Sequence, residues 1–434
     1  MTEKYESYKP SGIPWIREIP SHWDTMRIKF YCDSISSGAT PSTNVAGYWD
    51  GYIPWIPSGC CHDCNIDEAP KFITKEGLQS CSTQIIPAST TVMAMTGATC
   101  SQVGFLTIDA ATNQSVMAYR ENKKKADAKF LFYLLQGARE YILTHQTGGA
   151  QAGINGQDCS NLLVPLIPIE EQKKISSYLD RRCAAIDRTI STQEKKIRLL
   201  EKLKINVISS ATFQGLYSTE LKATGIAWMP LIPKHWKLEK VSRVFNYAQI
   251  GSGTTPKSSV SDYYDENGYN WLQTGDLNDG IIIRTSKKVS STAIKDYNLK
   301  FYPKQSIVIA MYGATIGKVG ILGIETSTNQ ACCVLPPSQK CLSKFAFYYF
   351  IAAKPSLLIE ASGGGQPNIS QDVIRQHRIA LPPIDEQQAI VHYLDNECAP
   401  IDAAIEKAHE LVKKLKNYKK SLITEVVTGK RKVC

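Results

Sequence analysis

After Pro168, apolar residues recur at steps of three and four: Ile175, Leu179, Ile186, Ile190, Ile197, Leu200, Leu203 and Val207. That spacing lines one face of a helix. The stripe returns after Pro383 as Val391, Leu394, Ile401, Ile405, Leu411, Leu415, Leu422 and Val426. Each stretch lacks glycine and predicts a helical rod of about 60 Å over roughly 40 residues. Pro400 interrupts the second stretch and predicts a kink or break there. The sequence before each rod is of another kind, rich in Gly, Pro, Trp, Ser and Thr. Short apolar runs at Thr91 to Met95, Gln102 to Thr107, Ser306 to Met311 and Lys318 to Leu322 predict strands. Ala128 to Tyr141 and Lys344 to Ala353 predict short helices. Each half therefore reads as a mixed α+β globule followed by a rod.

The two halves are copies. "SGIPWIREIPSHW" (Ser11 to Trp23) returns as "TGIAWMPLIPKHW" (Thr224 to Trp236), and "GATP" (Gly38 to Pro41) as "GTTP" (Gly253 to Pro256). Tyr52 and Trp55 align with Tyr269 and Trp271, Met95–Thr99 with Met311–Thr315, and Thr112-Asn113-Gln114 with Thr328-Asn329-Gln330. "GGAQAGIN" from Gly148 pairs with "GGGQPNIS" from Gly363, and "PIEEQKKISSYLD" from Pro168 with "PIDEQQAIVHYLD" from Pro383. A nearly constant offset, about 213 to 216 residues, between ordered motifs marks a duplication. Each rod needs a partner for its apolar stripe. Packing the two against each other as an antiparallel pair supplies it, and would give a monomer with a pseudo-twofold axis and a globule at either end. The expected domains are 1–168, a first spacer helix 169–213, 214–383, and a second helix with a basic tail, 384–434.

A net charge of +10 favours a polyanionic partner. No run is long and apolar enough to span a membrane, and the N-terminus lacks the apolar core of a signal peptide, so a cytoplasmic location is expected. The thirteen cysteines then read as thiols. The densest cluster, Cys60, Cys61, His62 and Cys64, has no second ligand pair and no counterpart in the second copy, so no metal is expected.

"IAMYGATIGKVGI" (Ile309 to Ile321) has the look of a phosphate loop, but only three residues separate Gly313 from Gly317, and Val319 follows Lys318. A Walker loop needs four, and a hydroxyl after the lysine. The first copy has Ser101-Gln102 in place of Gly317-Lys318. A tight turn between two buried strands is expected, and no cofactor. Chemistry is equally unsupported. "LPPSQ" and "LPPID" lack the flanking residues of a methyltransferase Asn-Pro-Pro-Tyr motif, no nuclease carboxylate cluster is evident, and His22 and His235 belong to the repeated "IP-x-HW", where a structural role is expected.

A duplicated chain with "GIPWI…IPSHW" opening each half, "GAT" before "TNQ", and "PI-[DE]-E-Q…YLD" opening each rod resembles the specificity subunit of type I restriction–modification systems. The resemblance spans essentially the whole chain. It implies two target recognition domains separated by two helices packed as an antiparallel coiled coil. Each domain would read one half of a bipartite, asymmetric site in double-stranded DNA. The helices would set the spacing and dock two methyltransferase subunits, which a motor and nuclease subunit joins. The chain itself would be non-catalytic. Two other readings stay open: a specificity-like subunit of a type IIB system, and a duplicated protein-interaction scaffold without DNA.

For DNA contact, polar and basic residues are needed in loops where the copies diverge. Ser58, His62, Asn65 and Gln102 qualify in the first copy, and Lys257, Thr274, Asp276, Asn278 and Lys318 in the second. Trp55 and Trp271 match between copies and read as core.

Overall fold

The computed structural model describes residues 4–148, 152–217, 220–361 and 368–433. Part of the glycine-rich pair that starts at Gly148 and Gly363 lies outside them. The chain forms two compact units, Met1–Glu194 with Glu410–Cys434, and Lys195–His409. The division cuts through both long helices, Ile169–Gln214 and Ile384–Val427.

The first unit holds a five-stranded sheet in the order Cys32–Ser37, Val116–Glu121, Thr91–Ala94, Val103–Leu106, Cys64–Ile66; its last pair is parallel and the others antiparallel. The second unit repeats it as Gly251–Ser252, Cys332–Leu335, Ile307–Ala310, Val319–Leu322, Gly280–Ile282, again with the last pair parallel. The expected strands are thus present, and their central members are buried on both faces, which explains their unbroken apolar runs. A three-stranded sheet flanks each: Ala111–Thr112, Trp49–Ile56, Lys71–Ile73 in the first unit, Ser327–Thr328, Tyr264–Leu272, Lys287–Val289 in the second. Its register revises one alignment. Tyr269 faces Val289 as Ile53 faces Ile73, so Tyr269 takes the place of Ile53, not that of Tyr52. Trp55 and Trp271 do correspond, are buried, and donate from Nε1 to the carbonyls of Ala39 and Thr254 at 3.1 Å each.

The repeated motifs are fasteners. In "GATP" and "GTTP" a side chain on Gly38 or Gly253 would run into the backbone of Thr112 or Thr328, which only glycine avoids. Thr40 then donates to Gln114 Oε1 at 2.5 Å, and Thr255 bonds Gln330 likewise. "IP-x-HW" clamps the start of the rod: Trp23 Nε1 and His22 Nε2 both reach Glu171 Oε2 at 3.0 Å. Trp236 and His235 reach Glu386 at 3.0 and 2.8 Å. The next residue on each rod, Gln172 or Gln387, is fully buried. Its amide donates to two carbonyls (Lys125 and Ile167; Lys340 and Pro382) and accepts one N–H (Asp127; Leu342). About two turns on, the Asp of "YLD" accepts from a globule tyrosine, Tyr133 to Asp180 at 2.6 Å and Tyr348 to Asp395 at 2.7 Å.

Each unit contains one half of each rod, packed antiparallel. In the first unit Lys419 pairs with Asp187 at 2.7 Å and Lys416 with Glu194 at 3.4 Å, one number rising as the other falls. In the second, Lys204 holds Asp402. Ile175, Leu179, Ile186 and Ile190 join Val412, Leu422 and Val426 in the first core. Ile208 and Ala211 join Ile390, Leu394 and Cys398 in the second. The stripe differs from expectation at two places. Leu203 and Leu411 are 48% and 40% exposed, because successive steps of three rotate a residue away from the buried line, which Ile208 and Val412 continue. The helix also passes through Pro400 without a break; a missing N–H removes one intrahelical bond, and the flanking turns carry the helix on.

Candidate nucleic-acid interface

In both units two loops meet at the edge of the five-stranded sheet. One is the 3-10 turn and bend before its edge strand; the other closes the central hairpin. In the first unit Ser58 begins the turn Ser58–Cys60, and its carbonyl accepts from Thr99 Oγ1 of the hairpin turn at 3.1 Å. His62 Nδ1 donates to Gln102 Oε1 at 3.0 Å. Three of the four expected residues are thereby brought together. Asn65 is not among them: it lies on the edge strand, and its Oδ1 accepts from Lys129 Nζ at 2.7 Å.

The second unit places Thr274, Asn278 and Lys318 at the positions of Ser58, His62 and Gln102, each 216 residues on. Asp276 plays a local role: Oδ2 accepts the Gln273 N–H at 2.9 Å and Oδ1 the Ser286 N–H at 3.0 Å, closing its loop. Lys257 precedes Ser258, which lines a separate cleft with Asp265, Glu266, Thr285, Ser286 and Lys288; the Lys257 backbone N–H donates to Tyr297 Oη at 3.1 Å.

One pair of residues went unread in the sequence. Asp63 and Asp279 both adopt left-handed backbone, φ 58° and 56°, which aspartate tolerates better than most residues. Each carboxylate accepts the N–H that begins the second hairpin strand, Val103 at 3.1 Å and Val319 at 2.8 Å. They join the two loops. The signal was available as "HDC" against "NDG" at the constant repeat spacing. In the first unit Asp63 also forms an ion pair with Arg139.

The glycine loop is a hairpin turn. Ile307–Ala310 and Val319–Leu322 pair antiparallel, with Gly313 and Gly317 left-handed between them. A phosphate loop would lead into a helix, not a second strand. In the cysteine cluster Cys61 is in the core, where burial pushes its thiol up to about 12. Among the described residues no group of three or more His, Cys, Asp or Glu is placed to hold a metal, and no helix is long and apolar enough to cross a membrane.

Matched frameworks, unlike loops and one half of each long helix in either unit define a duplicated α+β scaffold. The family model for the type I restriction modification DNA specificity domain matches residues 20–224 and 233–414, and the chain belongs to that family. It is 23% identical over 437 residues to the type I restriction enzyme MjaIX specificity subunit of Methanocaldococcus jannaschii, covering 96% of this chain and 95% of that one. It is 21% identical to the EcoBI specificity subunit of Escherichia coli over 333 residues, 74% of this chain and 69% of that one. A chain from a solved structure concerned with complex assembly and conformational transition of a type I system superposes with a TM-score of 0.71 at 17% identity. The match covers 95% of this chain and 99% of that one, and supports the same fold.

Proposed function

We propose that the chain is the non-catalytic DNA-recognition subunit of a type I restriction–modification complex, acting on duplex DNA in the cytoplasm. Each unit reads one half of a bipartite, asymmetric target. The paired helices set the distance between the halves and dock two methyltransferase subunits, to which motor and nuclease subunits attach. The observation that carries this reading is one backbone device holding different side chains. Asp63 and Asp279 join the same two loops in the same way, yet the residues presented are Ser58, His62 and Gln102 in one unit and Thr274, Asn278 and Lys318 in the other. Ser58, His62 and Gln102 on the one frame and Thr274 and Asn278 on the other give different hydrogen-bond patterns to base edges, hence different half-sites. Two such readers on one face of a duplex are separated by about one helical turn, roughly 34–36 Å, a distance that helices of this length can span.

The test is the methylome of cells expressing this chain with its neighbouring methyltransferase, read by long-read sequencing. A second strain carries a version with residues 1–168 replaced by those of another specificity subunit. The expected result is a bipartite adenine-methylated motif that changes in one half only. An unchanged motif, with both proteins expressed and associated, rejects the division of labour.

A further inference from the structure

The hairpin turn of each unit has a long basic side chain lying across it from the helical side, and the two differ in what they do there. In the first unit Arg139 donates from Nε to the carbonyl of left-handed Ser101 at 3.3 Å and pairs with Asp63. In the second, Lys354 takes its place. Its Cγ, Cδ and Cε run over left-handed Gly317, so closely that a Cβ on that glycine would lie 3.0 Å from Cγ. Among the described residues its ammonium has no hydrogen-bond or ion-pair partner. The same holds for the side chain of Lys318, the next residue along the turn, whose counterpart Gln102 is tied to His62. Asp279 keeps its backbone bond to Val319 at 2.8 Å but pairs with no cation among the described residues. The first unit's turn therefore carries a neutralised Arg–Asp pair, and the second carries two ammonium groups unpaired among the described residues, while the carboxylates of the adjoining loop, Asp276 and Asp279, accept backbone N–H groups. Nothing stands within 4 Å of a Cβ built on Gly313, so the tip is open to close approach.

Unpaired lysines on flexible stems bind phosphate as point charges, without the geometric demands of a base contact. We propose that Lys318 and Lys354 together hold the DNA phosphate backbone in the second unit, a contact the first unit lacks because Arg139 is already paired with Asp63. The proposal rests on the DNA-recognition reading above.

It is tested by measuring the affinity of the full chain, assembled with its methyltransferase, for a duplex carrying the methylated motif, between 50 and 200 mM salt. Each phosphate contact contributes about 0.9 to the slope of log K against log salt. The Lys318→Gln, Lys354→Gln double variant should have a slope shallower by about 1.8, with an unchanged methylation motif. Either single variant should lose about half of that, which keeps the test open if the double variant folds poorly. Lys354→Arg should retain the slope, and so should Arg139→Gln. A parental slope in both single variants and the double variant, on a parental complex that binds normally, overturns the proposal alone. So does a changed base in one half of the motif, which would make a lysine a base reader. A parental complex that binds without salt dependence removes the DNA reading and the proposal with it.

Discussion

His377 shows how a single position can escape the logic of its own repeat. It follows the short helix Gln371–Gln376 and precedes the strand Arg378–Leu381, as Leu162 follows Gly156–Asn161 and precedes Leu163–Leu166. The imidazole is buried, stacked on Trp228 at 4.9 Å with Tyr349 and Phe350 at 6.3 Å, and neither ring nitrogen has a hydrogen-bond partner among the described residues. Burial disfavours its charged form and lowers its pKa to about 4 from the ordinary 6.5. Protons therefore bind the unfolded chain more readily than the folded one. The second unit should be at full stability above about pH 6.5 and lose up to about 3 kcal/mol as pH falls toward 4. His377→Leu restores the residue of the other copy. It should raise the melting temperature and flatten that acid loss, measured by thermal melts at pH 7 and pH 5. An acid loss as large in the variant as in the parent would exclude His377 as its cause. Nothing in the linear sequence distinguished this histidine, since the groups around it come from Trp228 and from a helix at 343–359.

At the scale of elements, the rods were legible because a stripe spaced by three and four has one physical reading. Which residues it buries was less legible: Leu203 and Leu411 belong to the apolar count, yet the packed line runs through Ile208 and Val412. The division of the molecule between Glu194 and Lys195, and between His409 and Glu410, says where a rod can be lengthened. Seven residues inserted at both points leave every helix contact inside each unit intact. The spacer of unread bases in the methylated motif should then widen. Insertion at one point alone should reduce solubility or assembly, read by size-exclusion chromatography with the methyltransferase. An unchanged spacer after matched insertion would refute the helical ruler.

For the whole molecule, two equivalent glycines are informative. Gly429 and Gly215 are both left-handed and lie against Trp23 and Trp236, the equivalent tryptophans of the two units. In the second unit the chain continues from Gly215 toward the strand Leu221–Ala223. In the first, the corresponding strand begins at Tyr8, whose hydroxyl donates to the Gly429 carbonyl at 2.9 Å. Tyr8 and Gly429 therefore meet where the other copy joins Gly215 to the strand Leu221–Ala223 through the chain. A rearranged chain in which Gly429 leads through the sequence Leu-Tyr-Ser-Thr-Glu into Tyr8, and which opens between Gly215 and Leu221, should fold with a melting temperature near the parent's and direct the same methylation motif. Loss of the folded protein would show that chain order, not contact, sustains the first unit.

Periodicity, the ordered repeat and the motif pairs were properties of the sequence alone, because spacing of residue types along a chain is set before it folds. They determined two copies of one α+β scaffold, two rods and the family. The broken Walker spacing and the missing lysine of the first copy likewise argued for a turn in place of a nucleotide site. Tertiary structure decided what spacing cannot encode. It brought His62 to Gln102 and Asp63 to Arg139 across gaps of 40 and 76 residues, set Asp276 to closing its own loop, and laid Lys354 of the helix over the turn that holds Lys318, both unpaired among the described residues. Hydrogen bonds and ion pairs depend on distances in space, and those exist only once the strands have paired.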